Sequence, residues 1–290
     1  FYTTFAKYPK IFSSVFVNMI KAGEASGNLE AIFEDLARNL EKERDLSTRI
    51  KGALVYPIIL LVASSLVLFF LVAFAIPRIS GIFVEAGVRP PFFSRIVFGA
   101  GDFMNNNLLF IFSLAAIIGV SGTLLVKRST GFRRFMYRAS TKIPVVRNVL
   151  TRIAIQRFAT TLSSLMAAGL PILEALEITA DAVGNQEIKA ALLRISRDQV
   201  AKGVPIGEAF RREEEFPRVV TNLMAIGERA GHIEDILKTL SSFYESEIDA
   251  SIKTLVSFLE PALLLFIGGI IGTIALSVII PIYQLVQTGF

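Results

Sequence analysis

The candidate functional residues of this chain are carboxylates that recur at a fixed spacing. Glu24 and Glu30 stand in the stretch Gly-Glu-x-x-Gly-x-Leu-Glu, and Glu228 and Glu234 stand in a second stretch with Ile in place of Leu. Glutamates near a helix start cap free backbone N–H groups and interact favourably with the helix dipole. Oxygen ligands of this kind could alternatively hold a divalent cation, or form a surface for a partner. The pattern favours capping over these two alternatives. The glycines that complete the predicted turns are Gly23, Gly27, Gly227 and Gly231.

Two further groups of carboxylates occupy matching places downstream of the two stretches. Each group lies on a segment whose apolar residues repeat at helical spacing, so each is expected on the polar side of an amphipathic helix. Such a face is either solvated or a docking face for a basic partner. The residues concerned are Glu41, Glu43 and Asp45 in the first group, and Glu245, Glu247 and Asp249 in the second.

A basic stretch lies between residues 127 and 157, which contain nine Lys and Arg residues and no acid. Cations beside an apolar segment are typical of the cytoplasmic side of a membrane, where they contact anionic headgroups. Docking of a protein is the alternative, with Arg133, Arg134 and Arg138 as candidate contacts. The net charge of +5 is attributed to this asymmetry and not to nucleic-acid binding.

Motifs for catalysis are absent from the sequence. It contains no P-loop, no G-x-S-x-G and no H-E-x-x-H. There is no cysteine, and the single histidine, His232, falls in the second Gly-Glu turn. These observations predict a protein that is not an enzyme and has no cofactor and no metal site built on Cys or His.

The two Gly-Glu stretches belong to a longer internal repeat. Gly227 and Gly23 are 204 positions apart, and at this offset 11 of the 35 residues from 23 to 57 are identical to their counterparts. Pro57 and Pro261, which enter apolar segments, are equivalent in the same way. The sequence therefore predicts a duplicated domain. Upstream, we expect each copy to start a helix at a proline, Pro9 or Pro217, with the first copy four residues longer.

Three long apolar segments predict that the protein spans a membrane. Residues 52–77, 103–126 and 261–290 contain no charged side chain, and each exceeds the ~20 residues that a membrane-spanning helix needs. Buried helices of a large soluble protein are the weaker alternative. Pro57 and Pro261 are predicted to bend the first and third helices near the membrane boundary.

Orientation follows from the distribution of Lys and Arg. Residues 1–51 carry 8 of them, residues 78–102 carry 3, residues 127–260 carry 19, and the tail after Pro281 carries none. The positive-inside rule therefore predicts that the first and middle segments are cytoplasmic, and that the short loop and the C-terminus lie on the other side.

The predicted fold is all-α, a polytopic membrane protein with duplicated cytoplasmic helical bundles, of which the first is incomplete. The middle segment alternates helical patterns with Gly/Pro breaks, which predicts about six helices. The expected order is the rear part of a first cytoplasmic domain (1–51), a membrane helix (52–77), a short non-cytoplasmic loop (78–102), a second membrane helix (103–126), a second cytoplasmic domain (127–257), and a third membrane helix with a tail (258–290).

Several of these motifs together resemble the type II secretion F protein family. They are the duplicated Gly-Glu-x-x-Gly-x-[Leu/Ile]-Glu, the proline that enters a membrane helix, and a Phe158…Leu162…Leu165…Ala168-Gly169-Leu170-Pro171-Ile172…Ala175-Leu176 pattern. The resemblance implies a non-catalytic platform in the bacterial inner membrane. It further implies contacts with a hexameric cytoplasmic assembly ATPase, with a pilin or pseudopilin, and with other machine subunits in the lipid bilayer. A homo-oligomer that binds no nucleic acid is expected.

A small oligomeric transporter or channel is the competing interpretation. Transporters place charged or polar groups within their spans. The three apolar segments here contain Ser, Thr, Asn and Gln as their polar residues, so the platform is favoured.

Overall fold

The computed structural model describes residues 1–85, 90–128, 131 and 144–287, and the regular secondary structure in these ranges is helical throughout. Arg133, Arg134 and Arg138 lie outside the described residues. The chain forms two compact units, a first unit of residues 1–51 with 140–254 and a second unit of residues 52–139 with 255–290. The helices are α1 Tyr2–Ala6, α2 Ser14–Ser26, α3 Leu29–Phe70, α4 Ile76–Glu85, α5 Phe92–Asn106, α6 Leu108–Arg128, α7 Pro144–Ala167, α8 Ile172–Ala182, α9 Gln186–Arg194, α10 Ile206–Arg211, α11 Arg218–Ala230 and α12 Ile233–Gln287.

Glycine, proline and asparagine define the helix ends of the first unit. After α7, the N–H of Leu170 donates to Leu165 O at 3.0 Å, and Gly169 takes φ 84°, which together form a Schellman-type end. Pro171 then precedes α8. Asn185 caps α9 by accepting hydrogen bonds from the N–H groups of Glu187 and Ile188. The predicted breaks at Gly169–Pro171 and Gly184–Asn185 thus coincide with helix boundaries.

The core of the first unit is aromatic at its centre. Phe158 of α7 lies 5.5 Å from Phe210 and 5.4 Å from Phe216, measured between ring centroids, and the last two rings are 4.9 Å apart. All three side chains are buried. Ring pairs at these distances stabilise a core beyond the area that they bury. This cluster fixes α7 against the segment that joins α10 to α11.

The two copies of the repeat begin their helices at matching positions. Helix α2 spans 14–26 and α11 spans 218–230, so both ends differ by 204, as do the starts of α3 and α12 at 29 and 233. The predicted helix start at Pro9 is wrong. Ser13 is the N-cap of α2, because its side chain accepts from the N–H of Phe16, and residues 9–13 form turns. Ser13 is therefore the counterpart of Pro217, with no four-residue difference.

The spacing of apolar residues in α3 predicts that Ile32, Phe33, Leu36 and Leu40 all face the core. Ile32 and Leu36 are buried, whereas Phe33 and Leu40 are 40% and 56% exposed. The side of α3 that contains Ile32 and Leu36 therefore faces the core, and the side that contains Phe33 and Leu40 does not.

The second unit departs most from the predicted boundaries. Helix α3 runs unbroken through Pro57, passes into a π-helix at Leu71–Ala75 and continues as α4 to Glu85. Pro77 has no N–H to donate to the carbonyl four residues back, and a π turn just before it accommodates this loss. The first apolar helix is therefore longer than the predicted segment 52–77.

Residues 78–102, predicted as a loop, are largely helical because they contain most of α4 and α5. The segment 103–126, predicted as one membrane helix, is divided by a turn at Asn107 between α5 and α6. Phe83 of α4 and Phe98 of α5 stack at 5.8 Å in a small buried cluster. Amphipathic burial of α4 against α5 thus explains why helix replaces loop here.

Two helical stretches of the described residues are long and apolar enough to cross a membrane. They are Leu29–Phe83 and Ile233–Tyr283, and only 6% of the most apolar window of each is buried within the protein. Apolar side chains left exposed along a helix are expected where lipid surrounds it. These two helices fit a membrane protein.

Candidate functional site

The two Gly-Glu turns share one backbone geometry. Gly27 has φ 73° and ψ 9°, and Gly231 has φ 72° and ψ 13°. Both glycines end a helix in the left-handed region, where a Cβ would be disfavoured. His232 directly follows Gly231, outside the helices and 72% exposed in its side chain, as a turn residue would be. The turns therefore reverse the chain in the same way in both copies.

Gly23 and Gly227 allow close packing within each turn. A Cβ at Gly23 would lie 2.8 Å from Cγ1 of Ile32, and one at Gly227 would lie 3.0 Å from Cγ1 of Ile236. Neither isoleucine can recede easily, because each is anchored in the helix that follows the turn. These glycines serve the packing of the repeat.

The first glutamate of each stretch caps a helix, although not the helix that follows it. Glu228 accepts hydrogen bonds from the N–H groups of Ile206, at 2.5 Å, and Gly207, at 2.9 Å. These are the first residues of α10. Glu24 accepts from the N–H of Tyr2, the first residue of α1, at 3.0 Å. A carboxylate at a helix N-terminus satisfies free donors and interacts favourably with the helix dipole.

The second glutamate of each stretch lies on the surface. Glu30 and Glu234 stand in the first turns of α3 and α12, and Glu234 pairs with Lys238 at 2.6 Å. Among the described residues there is no group of three His, Cys, Asp or Glu side chains that could hold a metal ion. The alternative of a carboxylate cation site therefore finds no support in this part of the chain.

One glutamate from each of the two acidic groups forms an ion pair with α7, and the two glutamates are equivalent in the repeat. Glu43 contacts Arg157 at 3.1 Å, and Glu247, which is 204 residues further on, contacts Arg152 at 2.9 Å. Both arginines belong to α7. Arg152 also donates to the main-chain oxygen of Glu247 at 3.0 Å and to the hydroxyl of Ser251. Helix α7 thus contacts α3 and α12 through matching carboxylates.

Polar contacts continue along the same helix. Asn39 of α3 donates to Ser164 Oγ at 2.8 Å, and the hydroxyls of Thr160 and Ser241, on α7 and α12, lie 2.6 Å apart. These groups are half-buried or buried, so their hydrogen bonds offset the cost of desolvation. The series fixes the lengthwise register of α7 against both repeat helices.

The repeat helices also contact each other directly in the first unit. Arg49 of α3 pairs with Asp249 at 2.7 Å and with Glu245 at 3.7 Å, both on α12. Glu41 and Asp45 remain exposed. Of the six predicted docking carboxylates, the other four are therefore engaged within the unit. Docking of a basic partner on these carboxylates stays a prediction.

Arg49, Arg152 and Arg157 are the pairing residues that inspection of the sequence missed. Their positive charges were attributed to the general cytoplasmic excess, because a sequence does not show which acid a basic side chain reaches. The available signal is the recurrence of Glu43 as Glu247, since a carboxylate that is repeated in both copies is a candidate for an equivalent ion pair in each.

In the second unit, both membrane-entry prolines lie inside continuous helices. Pro57 is internal to α3 and Pro261 to α12. The residues before them, Tyr56 and Glu260, contact each other through a hydrogen bond of 3.3 Å.

Comparison with known proteins places these features in a family. The model of the family described as type II secretion system (T2SS), protein F, matches residues 1–77 and 158–281. The two matched ranges end at Pro77 and Pro281, again 204 residues apart.

Individual relatives resemble the chain over nearly its whole length. Type IV pilus assembly protein PilC of Pseudomonas aeruginosa is 30% identical over 279 residues, which cover 96% of this chain and 74% of the relative. PilC of Thermus thermophilus is 31% identical over 280 residues, covering 96% and 68%. Type II secretion system protein F of P. aeruginosa is 29% identical over 283 residues, covering 97% and 69%.

Proposed function

Because the chain belongs to the type II secretion system protein F family, we propose that it is the inner-membrane platform of a type IV pilus or type II secretion machine. In this role it couples a cytoplasmic assembly ATPase to the growth of a pilin or pseudopilin filament. The names of the relatives support a component of pilus or secretion machinery. Catalysis within the platform is not part of the proposal.

The observation that carries the coupling is the continuity of α3 and α12. Helix α3 contributes residues 29–51 to the first unit and continues into the second, and α12 does the same from residue 233 onwards. A hydrogen-bonded helix resists bending along its length, so a displacement applied at its polar end is carried towards the apolar end. The ion pairs of Glu43 and Glu247 with α7 would make both helices respond together.

The proposed topology has three membrane spans. Helices α3 and α12 provide the first and third, and α6 provides the second, because residues 108–126 carry no charge. The first unit is then cytoplasmic and the C-terminus lies outside. The 204-residue offset, the equal turn geometry and the matching helix starts support the proposal that the two cytoplasmic segments arose by duplication.

A flexible insertion tests the coupling. A Gly-Ser linker placed between Asp249 and Lys253 interrupts α12 where it leaves the first unit, and such linkers behave as random coil. We expect filament assembly to be lost, while membrane insertion and pull-down of the assembly ATPase persist. The matched control is the same linker between Glu85 and Pro90, which separates α4 from α5 and leaves α12 intact.

Normal assembly with the interrupted α12 would show that the chain is a passive anchor. Failure of the ATPase to bind even the unaltered chain, together with solute flux through liposomes that contain it, would favour the small transporter or channel instead.

A further inference from the structure

The two equivalent helices α2 and α11 differ in what covers one of their faces. On α2 this face consists of Val15, Met19 and Ala22, which belong to the core of the first unit or pack against it, and α2 as a whole contacts α7 and α8. Met19 is fully buried there, and the other two side chains are half-buried. On α11 the counterparts at the 204-residue offset are Val219, Leu223 and Ile226. The packing of α2 therefore indicates which kind of element could cover the equivalent residues of α11.

The row on α11 is exposed at its two ends, whereas Leu223 between them is half-buried and packs against the core of the first unit. Val219 is 47% exposed and Ile226 is 56% exposed, and Ile226 replaces the smaller Ala22. The opposite side of α11 packs against α10, where Gly207 lies against Ala225. Positions 219, 223 and 226 form one stripe, because residues three and four apart are neighbours on a helix. An exposed apolar stripe of this kind is typical of a contact surface.

Basic side chains next to the apolar stripe of α11 indicate the charge of the element that could bind there. On α2 the neighbouring stripe carries Lys21, which lies 3.9 Å from Glu174 of α8. The equivalent stripe on α11 carries Arg229, one turn beyond the counterpart of Lys21, and Arg218 near the other end. Both arginines are exposed. A second α11 laid antiparallel on the first would bring Arg218 close to the other copy's Arg229, so like charges oppose self-association through this face.

We infer that the face of Val219, Leu223 and Ile226 binds a second helix pair of the α7–α8 kind, with an apolar seam and a carboxylate at the position of Glu174. This inference goes beyond the proposed function and does not rest on it. The occupant would bind α11 as α7 and α8 cover α2, with its carboxylate facing Arg229. Apolar burial supplies the attraction, and the ion pair sets the register.

A peptide with the sequence of residues 144–183 is the probe. The full chain, in nanodiscs of neutral lipid, is titrated against the labelled peptide, and binding is followed by fluorescence anisotropy. We expect saturable one-to-one binding. Ile226→Asp places a charge in the apolar stripe and should weaken binding at least tenfold. Ser242→Asp, which adds the same charge at an exposed position of α12, should leave binding unchanged.

A charge exchange separates specific docking from general attraction. Arg229→Glu in the chain should weaken binding severalfold, and the peptide with Glu174→Lys should restore it with that variant alone. All substituted side chains are exposed, so circular dichroism should show unchanged helix content. Absence of binding, or equal binding to the chain with Ile226→Asp, would overturn the inference.

A membrane surface is the other occupant that an apolar stripe beside arginines could have. The chain contains no cysteine, so Asn222→Cys provides a unique site for an environment-sensitive dye at the edge of the face. A blue shift on adding the peptide supports the helix pair. A blue shift that depends instead on anionic lipid in the nanodisc, with no response to the peptide, contradicts it.

Discussion

Tyr56 Oη donates a hydrogen bond to Glu260 Oε1 at 3.3 Å, and the two residues are 204 positions apart, the offset of the internal repeat. Equivalent residues meet where two copies pack side by side in register or across a two-fold axis. The contact therefore marks where α3 and α12 meet in the second unit, one residue before Pro57 and Pro261.

This relationship predicts selective crosslinking. With Tyr56→Cys and Glu260→Cys introduced into the cysteine-free chain, a short bifunctional maleimide should join the two sites within one molecule. The pair Tyr56→Cys and Phe266→Cys is the control, because residue 266 lies about 9 Å further along the helix at 1.5 Å per residue. The products are distinguished by protease mapping. Crosslinks that form only between molecules would contradict the arrangement.

A second prediction concerns the contact between α10 and α11. A Cβ at Gly207 would lie 2.5 Å from both Cα and Cβ of Ala225, so Gly207→Ala must push the two helices apart. Overpacking of this kind costs about 1–3 kcal/mol, and the midpoint of thermal unfolding should fall. Gly52→Ala is the matched control, since nothing lies within 4 Å of its Cβ and the helix gains from alanine. Equal melting temperatures for the two variants would be inconsistent with this packing.

A third prediction separates the two glutamates of the repeated stretch. Glu228→Ala removes the acceptor for two N–H groups at the start of α10 and should cost about 1–2 kcal/mol of unfolding free energy. Glu234→Ala removes an exposed pair with Lys238 and should cost about 0.5 kcal/mol or less. Denaturant titration of both variants measures the difference. If Glu234→Ala proved the more damaging, the capping role of Glu228 would be wrong.

Topology gives a fourth prediction. A reporter that is active only outside the cytoplasm should be active when fused after Phe290 and silent when fused at Asn185, because Lys and Arg concentrate in residues 1–51 and 127–260 and are absent from residues 261–290. Cytoplasmic reporters at the same two sites should give the opposite pattern. The reverse result at either site would contradict the proposed membrane topology.

The sequence predicted best where local chemistry decides the structure. The left-handed glycines at 27 and 231 follow from the Gly-Glu stretches, and the helix start after Pro171 follows from Gly169-Leu170-Pro171. It predicted less well where long-range packing decides. Nothing in the charge pattern showed that Arg152 and Arg157 of α7 would reach Glu247 and Glu43, because the partner helices are some hundred residues away.

Two boundary errors had local causes. Pro9 resembles a helix start, but the main-chain oxygen of Tyr8 accepts hydrogen bonds from the N–H groups of Ile11 and Phe12, and that turn delays α2 until Ser14. Hydropathy joined residues 103–126 into one segment. The three asparagines at 105–107 favour a turn. This local preference decides the structure there, because a turn at Asn107 separates α5 from α6.

The π turn at Leu71–Ala75 makes the first apolar helix differ from the second near their aligned prolines. A π turn holds one residue more than an α turn, so the side chains beyond it are rotated by about 100° around the helix axis. Pro77 and Pro281 are aligned in sequence, but α12 contains no such turn among its described residues. A rotation of this kind sets the side chains after Pro77 at a different angle around their helix axis from that of an uninterrupted α-helix. Helix α4 packs against α5, and at the 204-residue offset residues 78–85 share no identical residue with residues 282–289.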